Sequence, residues 1–160
     1  MIFGYQSSRD FFESVRVAAQ ELERTERQIQ RMRLAEGIKA QRYEVAGSGG
    51  GDVHGMSATD ARMDFEERMR RRMEEDRDIV SKGLMVCYGE EGDGGICAIL
   101  GSQSADSIYW RYCTGASWTR AAEMVSASPK TIRRWCETAM DTVDGLGADS
   151  VISGRGGAES

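Results

Sequence analysis

The sequence predicts an all-α protein in which a long helical hairpin or coiled-coil segment is followed by a small C-terminal helix-turn-helix domain. Three observations predict it. Only 40% of the 160 residues are hydrophobic, 29% are charged and a single proline is present, a profile that suits long solvated helices better than a thick sheet-based core. Strand-type runs of Val, Ile and Thr are almost absent. Apolar residues recur at helical spacing along two long stretches of the first half and again near the C-terminal end.

The first helix is expected from a cap at Ser7 or Ser8 to about Tyr43. Val15, Leu22 and Ile29 lie one heptad apart, with Ala18, Thr25 and Met32 at the companion positions, a short coiled-coil seam. It fades beyond Met32, where Glu36 and Lys39 fall on the same positions. The charges interleaved from Arg9 to Glu44 nearly cancel, as on solvated helix flanks. Gly47 to Thr59 holds five glycines and no pattern, which predicts a mobile loop at about 46–59. A second helix is expected from Thr59 or Asp60 to about Tyr88, with Phe65, Met69, Met73, Val80, Leu84 and Tyr88 along one stripe. Arg70, Arg71 and Arg72 are followed at once by Glu74, Glu75 and Asp76, so a charged helix surface is expected there rather than a phosphate-binding patch.

Glu90 to Gly95 reads as a surface turn. After it, Ile96, Ile99 and Leu100 begin an apolar helical piece, and Ala105 to Cys113 supplies another, with Ile108, Tyr109 and Tyr112 able to pack beneath the helix-turn-helix. Residues 147–160 are glycine-rich and polar, and the expectation there is a disordered tail. The domain organisation expected is thus 1–89 for oligomerisation or partner contact, 94–146 as the helix-turn-helix domain, and 147–160 as tail.

Ser117 to Trp135 carries the chemistry. Ala121, Ala122, Met124 and Val125 give a short first helix one apolar face while Arg120 and Glu123 stay wet. Ser126-Ala127-Ser128 breaks the period. Ser128-Pro129 then restarts a helix, because a serine hydroxyl caps free N–H groups and proline suits the first helical position. Along the second helix, 129–145, Ile132, Trp135 or Cys136, Ala139, Met140, Val143 and Leu146 form the inner face. That leaves Lys130, Thr131, Arg133 and Arg134 outside, and these residue types reach phosphates and guanine edges. The small Ala122 suits a close approach of the two helices. Trp110, Trp118 and Trp135 are expected as anchors of a small helical core.

From Tyr109 to Met140 the residues resemble region four of bacterial sigma factors. They are closer still to small phage and prophage helix-turn-helix proteins related to that region, the late transcriptional regulators of the RinA and ArpU type. The resemblance lies in the aromatic Tyr109-Trp-Arg-Tyr112 helix, the Gly115-Ala-Ser-Trp118 turn, the helix-turn-helix itself and the Ala139-Met140 step. It implies a sequence-specific, double-stranded-DNA-binding transcriptional regulator, with RNA polymerase as a further partner and a homodimer formed through the N-terminal helices. The residues it implies at the DNA are Thr119, Arg120, Ser128, Lys130, Thr131, Arg133 and Arg134. Two departures are Ala121-Ala122 in place of an Ile-Ala pair, and Pro129, which removes one side chain that could contact DNA. A small terminase-like DNA-packaging protein also joins a helix-turn-helix to oligomerising helices, usually in the opposite order. A structural or interaction module without DNA binding is the third reading.

The net charge of −5 at first opposes a nucleic-acid partner. From Ser107 to Met140, however, Arg111, Arg120, Lys130, Arg133 and Arg134 face only Glu123 and Glu137, a local surplus of three cations. So small a surplus predicts an edge that works in duplicate or beside a partner. Other chemistry finds no support. Cys87, Cys97, Cys113 and Cys136 form no close pair and His54 is the single histidine, so no metal site is expected and reduced cysteines imply a cytoplasmic protein. Gly47 to Asp52 lacks the Gly-Lys-Ser/Thr ending of a phosphate loop, and Glu90 to Gly95 lacks the alternating ligands of a calcium loop. With no nucleophile–base pair or carboxylate cluster, no enzyme and no cofactor is expected. No eighteen-residue apolar run and no basic N-terminal region occur, so neither a membrane nor export is expected.

Overall fold

A computed structural model describes residues 2–46 and 53–155, with side chains over 2–42 and 60–155. The described residues are helical almost throughout and contain no strand beyond an isolated bridge between Ile2 and Tyr5. In order the helices are α1 (Ser8–Ala46), α2 (Val53–Tyr88), α3 (Gly95–Leu100), α4 (Ser102–Ile108), α5 (Trp118–Val125), α6 (Pro129–Leu146) and α7 (Ala148–Ile152). A π-helical turn, Tyr109–Cys113, continues α4. No helix among the described residues is long and apolar enough to cross a membrane.

Packing divides the chain into two units, Glu21–Glu75 and Met1–Gln20 with Asp76–Ser160. In the first, Glu36 Oε1 lies 2.9 Å from Arg62 Nη1 and Glu21 Oε1 lies 3.6 Å from Arg72 Nε, so α1 and α2 run antiparallel. Thr25 is buried, and Leu22, Ile29, Met32 and Glu36 are half-buried at the expected heptad spacing; Phe65, Met69 and Met73 are the matching positions of α2. The seam runs one step further than expected because Arg62 neutralises Glu36. The seam is therefore occupied within one chain. Arg70 and Arg71 pair with Glu67 at 3.1 and 3.9 Å, which makes the arginine triplet a charge-balanced flank. α2 begins at Val53, so 53–59 is helix rather than loop, whereas 47–52 lie outside the described residues.

In the other unit the ends of both long helices belong to the core. Phe11, Phe12 and Val15 of α1 and Val86 and Cys87 of α2 are buried with Ile96, Ile108, Cys136, Ala139, Met140, Val143 and Val151. Burying each phenylalanine contributes about 2–3 kcal/mol. The division of packing at Gln20 and Asp76 differs from the expected boundary near residue 89 because Phe11 and Phe12 find their apolar neighbours in the C-terminal half. Gly83 permits the approach of α1 to α2, since a Cβ there would stand 2.9 Å from Val15 Cγ1. Leu84 of the expected stripe is 37% exposed, because the buried positions step from Met73 to Asp76 and Gly83 instead.

The C-terminal segment is ordered through α7, which corrects the expectation of a tail disordered from 147. Val151 is fully buried, and the backbone of α7 sits so close to Gly94 that a Cβ there would be 2.1 Å from the Ile152 carbonyl oxygen. The Glu90–Gly95 turn is accordingly only half a surface feature. Its carboxylates are exposed, while Gly94 and Gly95 are buried. Residues 156–160 lie outside the described residues.

The buried core holds titratable groups in their neutral forms. Burial pushes the Cys136 thiol and the Tyr112 hydroxyl each up to about 12, and drives the Cys87 thiol well above its ordinary value. The folded chain then holds these protons more tightly than the unfolded one. The stabilisation is complete below about pH 9, where unfolded cysteine is still protonated, and is lost as pH rises towards 12. Helicity is expected to fall cooperatively above about pH 10, with tyrosinate absorbance rising in step. A Tyr112 hydroxyl that titrates at its ordinary value while helicity persists would contradict this burial.

Candidate nucleic-acid interface

The α5–α6 segment is built from local rules that the sequence states. Ser117 opens α5, its hydroxyl accepting from the Arg120 N–H at 3.1 Å. α5 closes on Ser126, which takes the left-handed conformation at φ 60°, a backbone state that L-residues adopt at some cost. Ser128 then caps α6 by accepting from the Thr131 N–H at 3.1 Å, and Pro129 occupies the first turn. Ala121, Ala122 and Ile132 are buried between the helices, with Trp110, Trp118, Val125, Ala127 and Trp135 packed around them. Ala122 is thus the small residue that the contact needs. Met124 and Leu146 are corrections to the expected inner faces, since both are more than a third exposed.

Six of the seven expected DNA-facing residues divide into three groups. Lys130 and Arg134 stand one turn apart on the side of α6 opposite Ile132, Cys136 and Ala139. Both are exposed, and neither makes an ion pair among the described residues. Arg133 is exposed but sits about 100° around the helix from Arg134. Its guanidinium carbon lies 5.1 Å from the centre of the Trp118 ring. The third group is already engaged. Arg120 pairs with Glu123 at 3.3 Å, and the Thr131 hydroxyl bonds the Ser128 hydroxyl at 2.8 Å. Thr119 is exposed at the start of α5.

The remaining cation of the local surplus turns inward. Arg111 lies 4.5 Å from the Trp118 ring centre and donates to the Ala116 carbonyl at 3.0 Å. The outward edge therefore consists of Lys130, Arg133 and Arg134 on the N-terminal half of α6, where the positive end of the helix dipole adds to them. The C-terminal half of the same helix is acidic, with Glu137, Asp141 and Asp144 exposed.

α1 holds that acidic half. The Ser8 N–H donates to Asp144 at 2.8 Å, the Ser8 hydroxyl donates to the Met140 carbonyl at 2.8 Å, and Arg9 meets Asp141 at 3.0 Å and Asp144 at 3.9 Å. Hydrogen bonding to Asp141 raises the Arg9 pKa further. Sequence reasoning missed this brace, because partners more than a hundred residues apart leave no periodic signal. It also missed Trp118 as a platform. An aromatic one residue inside a cap, with an arginine seven residues before and another fifteen after, is no recognisable spacing. A cleft of about 440 Å³ opens beside this edge, lined by Arg9, Asp10 and Glu13 of α1 and by Trp118, Arg133 and Glu137, among others.

No group of three or more His, Cys, Asp or Glu side chains among the described residues is arranged to hold a metal ion. Compared with known proteins, the chain matches no family model, no curated protein and no solved structure.

Proposed function

We propose that this protein is a sequence-specific transcriptional regulator of phage or prophage derivation that places the N-terminal half of α6 in the major groove of double-stranded DNA. The observation that carries the reading is the capped start of α6, anchored inward by Ile132 and Cys136, with Lys130, Arg133 and Arg134 exposed on one edge. α5 packs on that helix through Ala121 and Ala122, and in such a motif the first helix crosses the DNA backbone. The resemblance of Tyr109–Met140 to sigma region four supports the same use and adds RNA polymerase as a partner. The acidic second half of α6 confines DNA to the first half, and Arg9 moderates its repulsion.

Three cationic contacts make binding modest and strongly salt-dependent. The association constant for duplex DNA from the source locus is expected to fall with salt, the log–log slope steepening by about 0.9 for each phosphate contact made. Arg133→Ala with Arg134→Ala should weaken binding and flatten that slope. Absence of binding even at low salt would overturn the proposal. The alternative reading is a small terminase-like DNA-packaging recognition protein whose helices assemble a ring. A solution mass of eight or more chains would select it, whereas a monomer or dimer selects regulation.

A further inference from the structure

We propose that Trp118 is a positioning residue: its indole fixes the Arg133 guanidinium as a backbone-phosphate contact at one flank of the groove, leaving Lys130 and Arg134 to reach base edges. The inference rests on the DNA-binding reading and assigns separate roles within it. Arg133 and Arg134 are neighbours in sequence, yet helical geometry turns their side chains in different directions. Arg134 shares its line with Lys130 on the outermost side of α6. Arg133 shares its edge with Glu137 and Met140 and borders the cleft beneath the start of α1.

Three features of that cleft single out the indole. Asp10, Glu13 and Glu137 all line it, yet Arg133 forms an ion pair with none of them and lies over Trp118 instead. Glu13 is taken by Arg16, which holds its carboxyl below the ordinary range. The indole is itself held in place: Tyr112 meets it edge-to-face at 6.1 Å, Arg111 lies over it at 4.5 Å, and Ser117 caps the helix it begins. A guanidinium stacked on an aromatic face keeps its N–H donors free around its rim. Arg133 thus presents an uncommitted planar fork whose side-chain freedom is already reduced before a ligand arrives. A phosphate diester fits a single planar fork at the flank of a groove, and such a contact sets register without reading bases.

The test joins a binding cycle to a measurement on the free protein. In the free protein, side-chain NMR should show the Arg133 δ-protons shifted upfield by the ring and its Nε–H less mobile than that of Arg134. Both features should vanish in Trp118→Leu and largely persist in Trp118→Phe. Trp118→Leu and Arg133→Ala should each weaken binding to specific and competitor duplexes equally, by roughly 3–10-fold, and each flatten the salt slope by about one. The double variant should lose no more than either single one, because the two residues act as a unit. Arg133→Lys carries no folding risk, keeps the charge and lacks the planar fork, and it should lose most of the affinity that Arg133→Ala loses. The assignment is overturned if the losses multiply, if Arg133 is as mobile as Arg134, or if Arg133→Ala changes base preference. A wild-type protein that binds no duplex overturns the DNA-binding reading and with it the phosphate contact, while the NMR arm still decides whether the indole holds Arg133.

Discussion

Lys130→Glu with Arg134→Glu is expected to lower the affinity for duplex DNA by more than about 100-fold at moderate salt while leaving the fold intact. Each contact of this type contributes about 1–3 kcal/mol, so losing two gives a factor of roughly 30 to a few tens of thousands before repulsion is counted. Folding should not suffer. Both side chains are exposed, and a glutamate in the first turn of α6 interacts favourably with the helix dipole. A gel-shift or anisotropy titration beside a thermal melt separates the two effects. Binding within about threefold of the wild type would remove the N-terminal half of α6 as the interface.

Val151→Asp is expected to destabilise the Met1–Gln20 and Asp76–Ser160 unit by about 3 kcal/mol or more, because it places a carboxylate where the side chain has no exposure. For a domain of this size that is a drop in Tm of more than about 10 °C. The consequence extends to the interface, since Val151 shares its core with Ala139, Met140 and Val143 on the inner face of α6. Differential scanning calorimetry checks it. An unchanged Tm would mean that the residues after Leu146 are dispensable, as their composition alone suggests.

Much of the motif was legible because its signals are local. Ser117 and Ser128 are cap residues at the right offsets, Pro129 follows directly, and the apolar positions of α6 repeat at helical period, so both helices and the turn between them could be read from neighbouring residues. The heptad through Leu22, Thr25, Ile29 and Met32 was legible for the same reason, although its continuation to Glu36 depended on Arg62, a residue on another helix. Composition misled in two places. Glycine content suggested a loop reaching to residue 59 and a disordered segment from 147. At Gly94, however, the glycine serves the close approach of α7, and the available apolar core orders Ala148–Ile152.

The candidate site divides along the same line. That Lys130, Arg133 and Arg134 stand outside α6 follows from counting residues around a helix. That Arg111 and Arg120 leave the outward cationic edge, the one to Trp118 and the other to Glu123, does not, because each choice depends on which partner lies within a few ångströms.

By itself, then, the sequence determined the all-helical class, the two long helices, the caps and turn of the α5–α6 pair and the cationic start of α6, all of which are decided by residues within one or two turns of each other. The tertiary structure alone decided that Phe11 and Phe12 support α6, that Ser8 and Arg9 hold its acidic half, that α7 closes on Gly94 and that Arg133 lies on Trp118. The physical reason is that burial and stacking reward whichever surfaces meet, and periodicity records that a face is apolar without recording what covers it.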